Sequence, residues 1–134
     1  MSQLGLAAAL ESECAAFSKL CGTAINFLAE SVPASLPDAV AICLYRVARA
    51  SLENIRQHAQ AKAASVRLAG RDSGIGMVIQ DFGRGFDLHA ARQGGGLGLV
   101  SMEERVRLVK GKLSVNSKPG EGTWIKVQIP VGRA

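Results

Sequence analysis

The middle of the chain carries one long amphipathic pattern, LPDAVAICLYRVARASLENIRQHA, at residues 36–59. Apolar side chains recur there every three or four residues, which places them along a single face of a helix. Pro37 is predicted in the first turn, where its missing N–H costs no hydrogen bond. A helix that is apolar along one face has to bury that face against another layer of the domain. The apolar stripe consists of Val40, Leu44, Val47 or Ala48, Ser51 or Leu52, and Ile55.

Other segments predict the layer that this helix covers. LGLAAALESECAAFSKLCG predicts a first helix that ends near Gly22, and GLVSMEERVRLV predicts a last helix. TAINFLAES, SVRLAG and IGMVIQDFG predict strands, the last with Ile75, Met77 and Ile79 on one face, and GKLSVNSKPGEGTWIKVQIP predicts a hairpin that turns at Pro119-Gly120. We therefore expect an α+β fold, a two-layer sandwich whose mixed, mostly antiparallel sheet is covered by helices on one face.

Composition indicates one globular domain over residues 1–134, without an internal repeat or linker. The N-terminus has no basic region of a signal peptide, and no apolar run reaches the roughly 18 residues of a membrane helix. The three cysteines have no Cys-x-x-Cys spacing. Reduced thiols in the cytoplasm fit this pattern best, so we expect a cytoplasmic chain without membrane contact of its own.

The net charge of +5 leaves the partner open. Nucleic acid is not expected, because aromatic residues make up only 4% of the chain and no stacking or zinc motif accompanies the basic residues. A polyanionic small ligand and an acidic partner explain the charge equally well. Part of the excess, Arg105, Arg107 and Lys110, falls at a predicted helix C-terminus and complements the helix dipole there.

Three segments around the predicted sheet carry polar residues or glycines that a ligand could use. The first is the polar edge of the central helix, formed by Ala50, Asn54, Gln57 and His58. Such an edge suits either a cleft or solvent, so the spacing is informative only together with the other two segments.

The second segment is DFGRGF, which begins at Asp81 directly after a predicted strand. The tripeptide Asp-Phe-Gly occurs in protein kinases, but the chain is too short for a two-lobed kinase and lacks the other kinase motifs. Gly83 and Gly85 permit close approach of a ligand to the backbone, and a carboxylate at Asp81 can accept a hydrogen bond from an exocyclic amine. A plain turn that Asp81 caps through local amides is an equally good interpretation.

The third segment, QGGGLGLVSMEERV, is a glycine-rich loop that leads into a helix. It is neither a Rossmann nor a Walker motif, because Leu99 and Ser101 occupy positions that would need glycine and no Gly-Lys-Ser/Thr follows. Free backbone N–H groups and the positive end of the helix dipole would suit a polyphosphate. A mobile loop would favour the same glycines.

In this order and spacing, LYRVARASLENIRQHA, DFGRGF, GGGLGLVSMEERV and the C-terminal hairpin resemble the ATP-binding catalytic domain of bacterial two-component sensor histidine kinases. The resemblance covers nearly the whole chain and is most similar to the response-regulator-linked, short-lid subfamily of these GHKL ATPases. It implies the Bergerat-type ATPase fold, with ATP and Mg²⁺ as ligands. It also implies a protein histidine kinase that presents the γ-phosphoryl group to a histidine on a separate dimerisation and acceptor domain, with a response regulator downstream.

The resemblance also assigns roles to individual residues. Asn54 matches the magnesium ligand, and Asp81 matches the residue that recognises the adenine amino group. His58 matches a position near the phosphates, and residues 88–93, Leu88 to Gln93, match the lid. The implied nucleotide-binding residues are Asn54, His58, Asp81, Gly83, Gly85, Gly96, Leu97, Gly98 and Thr123.

The chain departs from the family pattern at two positions of the central helix. Ala50 stands where a glutamate usually polarises the nucleophile, and Gln57 stands where a lysine usually follows the asparagine. These departures predict weaker binding or slower turnover, and no residue of the chain is assigned as catalytic with certainty. The chain also lacks a phospho-acceptor hairpin, so transfer needs a partner domain. Two alternatives stay open: an anti-sigma-type serine kinase and binding switch, and a nucleotide-binding module that has lost catalysis.

Overall fold

The computed structural model describes residues 3–33, 35–71, 73–85 and 98–131 of the chain. These residues form three α-helices, one π-helical turn and five strands. The helices are α1 (Gln3–Cys21), α2 (Asp38–Asn54) and α3 (Leu99–Leu108), and a π-helical turn, Ile55–Ala59, directly follows α2. The strands are β1 (Ala24–Glu30), β2 (Ala63–Arg71), β3 (Gly74–Asp81), β4 (Lys112–Ser117) and β5 (Thr123–Pro130).

The strands form one sheet in the order β1-β2-β3-β5-β4. β1 runs parallel to β2, and the remaining neighbours are antiparallel. A parallel pair needs a long crossover connection, and α2 supplies it between β1 and β2. The predicted mixed, mostly antiparallel sheet is therefore confirmed, as are the predicted helices and strands.

Alternation along β3 decides which side chains face the helices. Ile75, Met77 and Ile79 are buried, as is Asp81 at the end of the strand, whereas the residues between them are only half-buried. Side chains of a strand point to opposite faces in turn, so the predicted common face of these three apolar residues is confirmed. The helices cover that face, and the opposite face of the sheet carries no helix of the described residues.

The apolar stripe of α2 lies at the centre of the core. α2 contacts α1, α3, β3 and β5, and the Ser51 hydroxyl lies 3.9 Å from the Met102 sulfur of α3. None of the helices in the described ranges is both long and apolar enough to span a membrane. Fully buried core side chains include Leu6, Leu10, Leu44, Val47, Leu52, Val66, Leu68, Met77 and Val127.

Both ends of α2 differ in detail from the prediction. Pro37 is the residue that precedes the helix, with φ −55° and ψ 141°, and is not part of its first turn. At the other end, Asn54 is the last α-helical residue, and the backbone widens into the π turn before Gln60, with φ +51°, terminates it. The π turn bonds i to i+5, so the 100° spacing used to place Gln57 and His58 on one helical edge does not hold there.

The cysteines are free, as the sequence predicted. Cys14 and Cys43 are buried in the core between the helices and the sheet. Burial, together with the nearby carboxylates of Glu13 and Glu11, raises the pKa of the Cys14 thiol to about 11. Cys14 is therefore a protonated, apolar packing residue at neutral pH.

Replacing Leu44 by Ala should lower the free energy of unfolding by about 2–5 kcal/mol, because Leu44 is 0% exposed and its loss leaves a cavity. Ile42 is 43% exposed on the outer side of the same helix, so Ile42→Ala should change that free energy by no more than about 0.5 kcal/mol. Urea denaturation of both variants measures the difference. Equal midpoints would contradict the assignment of the buried face of α2.

Candidate functional site

Asp81 ends β3 on the helix-covered side of the sheet and is only 6% exposed. The backbone N–H of Gly83 donates to its Oδ1 at 2.9 Å. A second donor is the backbone N–H of Thr123, the residue opposite Asp81 in the β3–β5 ladder. The carboxylate is thus held in place by two main-chain donors from two different segments.

The electrostatics of Asp81 are those of a buried acid. Burial raises the pKa of its carboxyl above the ordinary value, and the backbone hydrogen bonds from Gly83 and Thr123 only partly oppose this. An ionised carboxylate has about four acceptor positions, of which the two backbone donors use two. The remaining positions can accept hydrogen bonds from an amine, which would also relieve the cost of burial.

The loop after Asp81 lies in backbone contact with the turn between β4 and β5. A Cβ atom on Gly85, which has φ +65°, would lie 2.1 Å from the carbonyl oxygen of Lys118. A Cβ atom on Gly122, which has φ +80°, would lie 2.3 Å from the carbonyl oxygen of Asp81. Only glycine fits both the conformation and the space at these two positions.

This contact forms a pocket of about 430 Å³ at the end of the sheet. Inside it the hydroxyls of Ser117 and Thr123 are 2.9 Å apart. Ser117 donates its only hydroxyl proton to the carbonyl of Gly122 at 3.0 Å, so Thr123 is the donor between the two hydroxyls. The Thr123 oxygen keeps lone pairs for a ligand or a water. The pocket is lined by Gln80, Asp81, Asn116, Ser117, Lys118, Glu121, Gly122, Thr123 and Trp124.

Asn54 lies half-buried at the end of α2, where the helix widens. Three residues later, the Gln57 side-chain amide donates to the Glu53 carboxylate at 2.8 Å, and Arg56 bonds the same carboxylate. Ala50 packs against the core one turn before Asn54. Gln57 is therefore engaged with Glu53, and Arg56 shares that partner.

The structure describes only some of the remaining residues that the sequence predicts at the nucleotide site. Gly98 is the residue before α3, with φ +68°, and its carbonyl accepts the Met102 N–H at 3.0 Å. His58 lies in the π turn, but its side chain is outside what the structure describes. Gly96, Leu97 and the lid at residues 88–93 also lie outside the described residues.

The structure thus brings together Asp81, Gly83, Gly85 and Thr123 at one end of the sheet. Asn54 lies on the helix that contacts both central strands. Apart from Thr123, the sequence did not predict the β4–β5 residues of the pocket, among them Ser117 and Gly122. The only signal for them was the repeated glycine in PGEGT, which was interpreted as turn geometry.

Comparison with known proteins identifies the family of this chain. The sequence model described as "Histidine kinase-, DNA gyrase B-, and HSP90-like ATPase" matches residues 39–133. The chain belongs to this ATPase family, so the resemblance predicted from the sequence is confirmed. Sensor histidine kinases contain an ATPase domain of this type.

Two relatives match almost the whole chain. A protein named signal transduction histidine-protein kinase/phosphatase DegS, from Brevibacillus brevis, is 34% identical over 98% of this chain and 34% of its own length. The oxygen sensor histidine kinase NreB, from Staphylococcus carnosus, is 30% identical over 98% of this chain and 38% of its own length. The chain therefore spans about a third of the length of these relatives.

Solved structures share the fold. The histidine kinase domain of the blue-light activated histidine kinase EL346 from Erythrobacter litoralis superposes with a TM-score of 0.73 at 23% identity. The match covers 94% of this chain and 61% of that domain. The whole EL346 protein gives a TM-score of 0.76, with 42% of its chain covered.

Replacing Gly122 by Ala should destabilise the domain more than replacing Gly120. Both glycines have φ near +80°, but a Cβ on Gly120 meets nothing within 4 Å, whereas one on Gly122 meets the Asp81 carbonyl. We expect Gly120→Ala to cost about 1 kcal/mol for its conformation alone, and Gly122→Ala to cost about 1–3 kcal/mol more. Thermal and urea unfolding of the two variants measure this difference. Equal losses would show that the backbone contact with Asp81 is not rigid.

Stability should also depend on the titration of Asp81. Because burial raises its pKa, the folded state binds this proton more tightly than the unfolded state. The contribution of Asp81 to the free energy of unfolding is therefore complete below the ordinary pKa of about 3.9 and is lost as pH rises through the raised, folded pKa. Urea denaturation of the wild type and Asp81→Asn across acidic pH isolates this titration. A wild type that gains stability over the variant as pH rises would show that the backbone donors outweigh burial.

Proposed function

We propose that this chain is the Mg-ATP-binding catalytic domain of a two-component sensor histidine kinase. In this role it presents the γ-phosphoryl group of ATP to a histidine on a separate dimerisation and acceptor domain. The observation that carries the proposal is the buried Asp81 carboxylate, held by two backbone donors beside a pocket where glycines let two loops come into backbone contact. The names of the relatives and the family of the chain support the same role.

Adenine fits the chemistry of the pocket. Its exocyclic amine is a hydrogen-bond donor, and the Asp81 carboxylate is an acceptor with capacity left. The Thr123 hydroxyl oxygen, oriented by Ser117, offers a second acceptor for a ring-bound water. Gly83 and Gly85 would let the base and sugar approach the backbone. Guanine presents a carbonyl oxygen where adenine has its amine, so the same carboxylate would repel it.

Magnesium would depend on Asn54 and on the phosphates themselves. Among the described residues no cluster of three His, Cys, Asp or Glu side chains could hold a metal. Proteins commonly bind Mg²⁺ through one or two side chains together with substrate phosphates and waters, so the Asn54 side chain would suffice as the ligand from the protein. Bound there, the ion would neutralise phosphate charge, and the side-chain oxygen of Asn54 would orient it. The glycine loop that ends at Gly98 would lie over the phosphates, and His58 would lie near them.

Phosphoryl transfer depends mostly on positioning and on charge stabilisation. Ala50 offers no carboxylate to polarise an acceptor histidine, and the Gln57 amide is neutral and already bonded to Glu53. We therefore expect slow turnover. The same observation favours a second candidate, a nucleotide-binding module that has lost catalysis. The partners in the first case are a histidine-containing dimerisation domain and a response regulator, in a cytoplasmic setting that the free cysteines support.

Calorimetric titration tests the nucleotide site. We expect the wild type to bind ATP in preference to GTP, more tightly with magnesium, and Asp81→Asn to lose this binding. The matched control is Glu30→Gln, the same carboxylate-to-amide change on the exposed edge strand β1, which should bind as the wild type does. Equal ATP binding by wild type and Asp81→Asn would remove the proposed role of Asp81.

Restoring the two missing groups tests turnover. The double variant Ala50→Glu with Gln57→Lys should transfer labelled phosphate from ATP to an acceptor-histidine hairpin about 10²-fold or more faster than the wild type, a general-base effect. ATP affinity, measured in parallel, controls for altered binding. If the wild type labels the histidine, the chain is not a module that has lost catalysis. If neither protein labels the histidine while both still bind ATP, the loss of catalysis is the better interpretation.

A further inference from the structure

The face of the sheet opposite the helices carries a trough that the proposed nucleotide site does not use. Its floor is formed along β3 by Gly74, Gly76 and Val78 and beside it by Ala69, all half-buried. The neighbouring strands β2 and β5 lie about 10 Å apart across β3, since each strand spacing is about 4.8 Å. The trough has a volume of about 640 Å³.

Basic side chains surround this trough on both sides. Arg67 and Arg71 lie on β2, about 13 Å apart along the strand. Arg67 and Lys126 lie in one cross-strand row on either side of Val78, so two like charges face each other across the floor. Among the described lining residues none is a carboxylate, and the basic ones are Arg67, Arg71, Lys110, Lys112 and Lys126.

Arg67 and Lys126 lie about 10 Å apart, two strand spacings, so their mutual repulsion is largely screened, whereas their potentials add over the floor between them. The salt bridges within the described residues lie elsewhere, on α1, α2 and the π turn. Glu30, the acid on the same face, lies on β1 opposite Ala69, at the margin of the trough. The trough is therefore a basic surface whose charge is complementary to an anionic partner.

The geometry indicates the kind of anion. Backbone N–H groups of β3 are used in ladders with β2 and β5, so the floor offers no cradle of free donors to a single phosphate group. The Trp124 ring, which a nucleotide base could stack on, is already covered by the Lys126 ammonium at 5.9 Å. A concave floor with charges on its rim suits a ridge of carboxylates that are spread along a chain.

We propose that this trough, defined by Arg67, Arg71, Gly76, Lys112 and Lys126, docks an acidic polypeptide segment along β3. Carboxylates on one side of an extended segment recur every second residue, about 7 Å apart. Carboxylates four residues apart would therefore match the spacing of Arg67 and Arg71 along β2. The trough and the nucleotide pocket share no lining residue, and Asp81 lies on the helix-covered side of the sheet, so we expect docking to leave the proposed ATP site free.

Fluorescence anisotropy of the full chain tests this, with a labelled peptide of about eight Glu-Ser repeats, which places its carboxylates on one side when extended. We expect binding that weakens with added salt and that is absent for the Gln-Ser counterpart. Arg67→Glu with Lys126→Glu should weaken binding about tenfold or more. Lys19→Glu with Arg46→Glu, the same charge change on the exposed side of the helices, should leave it unchanged.

A second variant distinguishes binding of the peptide within the trough from non-specific electrostatic attraction to the basic surface. A Cβ on Gly76 would lie 3.5 Å from its nearest neighbour, an ordinary contact, so Gly76→Leu should fold and fill the floor without changing charge. It should also weaken peptide binding, with the circular dichroism spectrum and ATP titration unchanged.

Three results would overturn the proposal. The first is that the peptide does not bind, and the second is that both charge-reversal pairs weaken peptide binding equally. The third is that anionic phosphatidylserine vesicles or a thymidine oligonucleotide bind more tightly than the peptide, and that the Arg67 and Lys126 changes abolish this binding. In the last case the trough would be a membrane or nucleic-acid surface. Each of these results would leave the ATP titration of the wild type as it is, so the docking proposal can fail without the nucleotide proposal.

Discussion

The antiparallel pairing of β3 with β5 is the constraint on which the rest of the structure depends. Its register runs from Gly74 opposite Pro130 to Asp81 opposite Thr123. A slip of one residue would turn the apolar side chains of β3 to the open face and would remove Asp81 from the Thr123 N–H. Burial of the core therefore secures the register, and the register places the carboxylate. The packing of the sheet therefore determines the geometry of the site.

Two features of the pocket lower the stability of the domain when no ligand is bound. Burial disfavours the ionised form of Asp81, and glycines hold backbone conformations that other residues adopt only with strain. Both features lie where the loop after β3 meets the β4–β5 turn. A ligand that donates a hydrogen bond to the carboxylate recovers part of this cost. The features that weaken the empty domain are thus the ones that would give an amine-bearing base its affinity.

The two faces of the sheet have different chemistry because the helices cover only one of them. The covered face is apolar up to its end, where Asp81 and Thr123 stand. The open face combines small residues along β3 with basic residues on the flanking strands. The two proposed sites, a nucleotide pocket at the end of the sheet and a trough on its open side, share no lining residue.

The sequence by itself determined the helices, most strand positions and the buried side of β3, because periodicity is a local property of each segment. Its family resemblance also named Asp81, Gly83, Gly85 and Thr123. Only the tertiary structure decided the strand order, the contact between Gly122 and Asp81, and the trough beneath Arg67 and Lys126. Those features depend on which distant segments pair and in which register, and that is settled by packing across the whole chain.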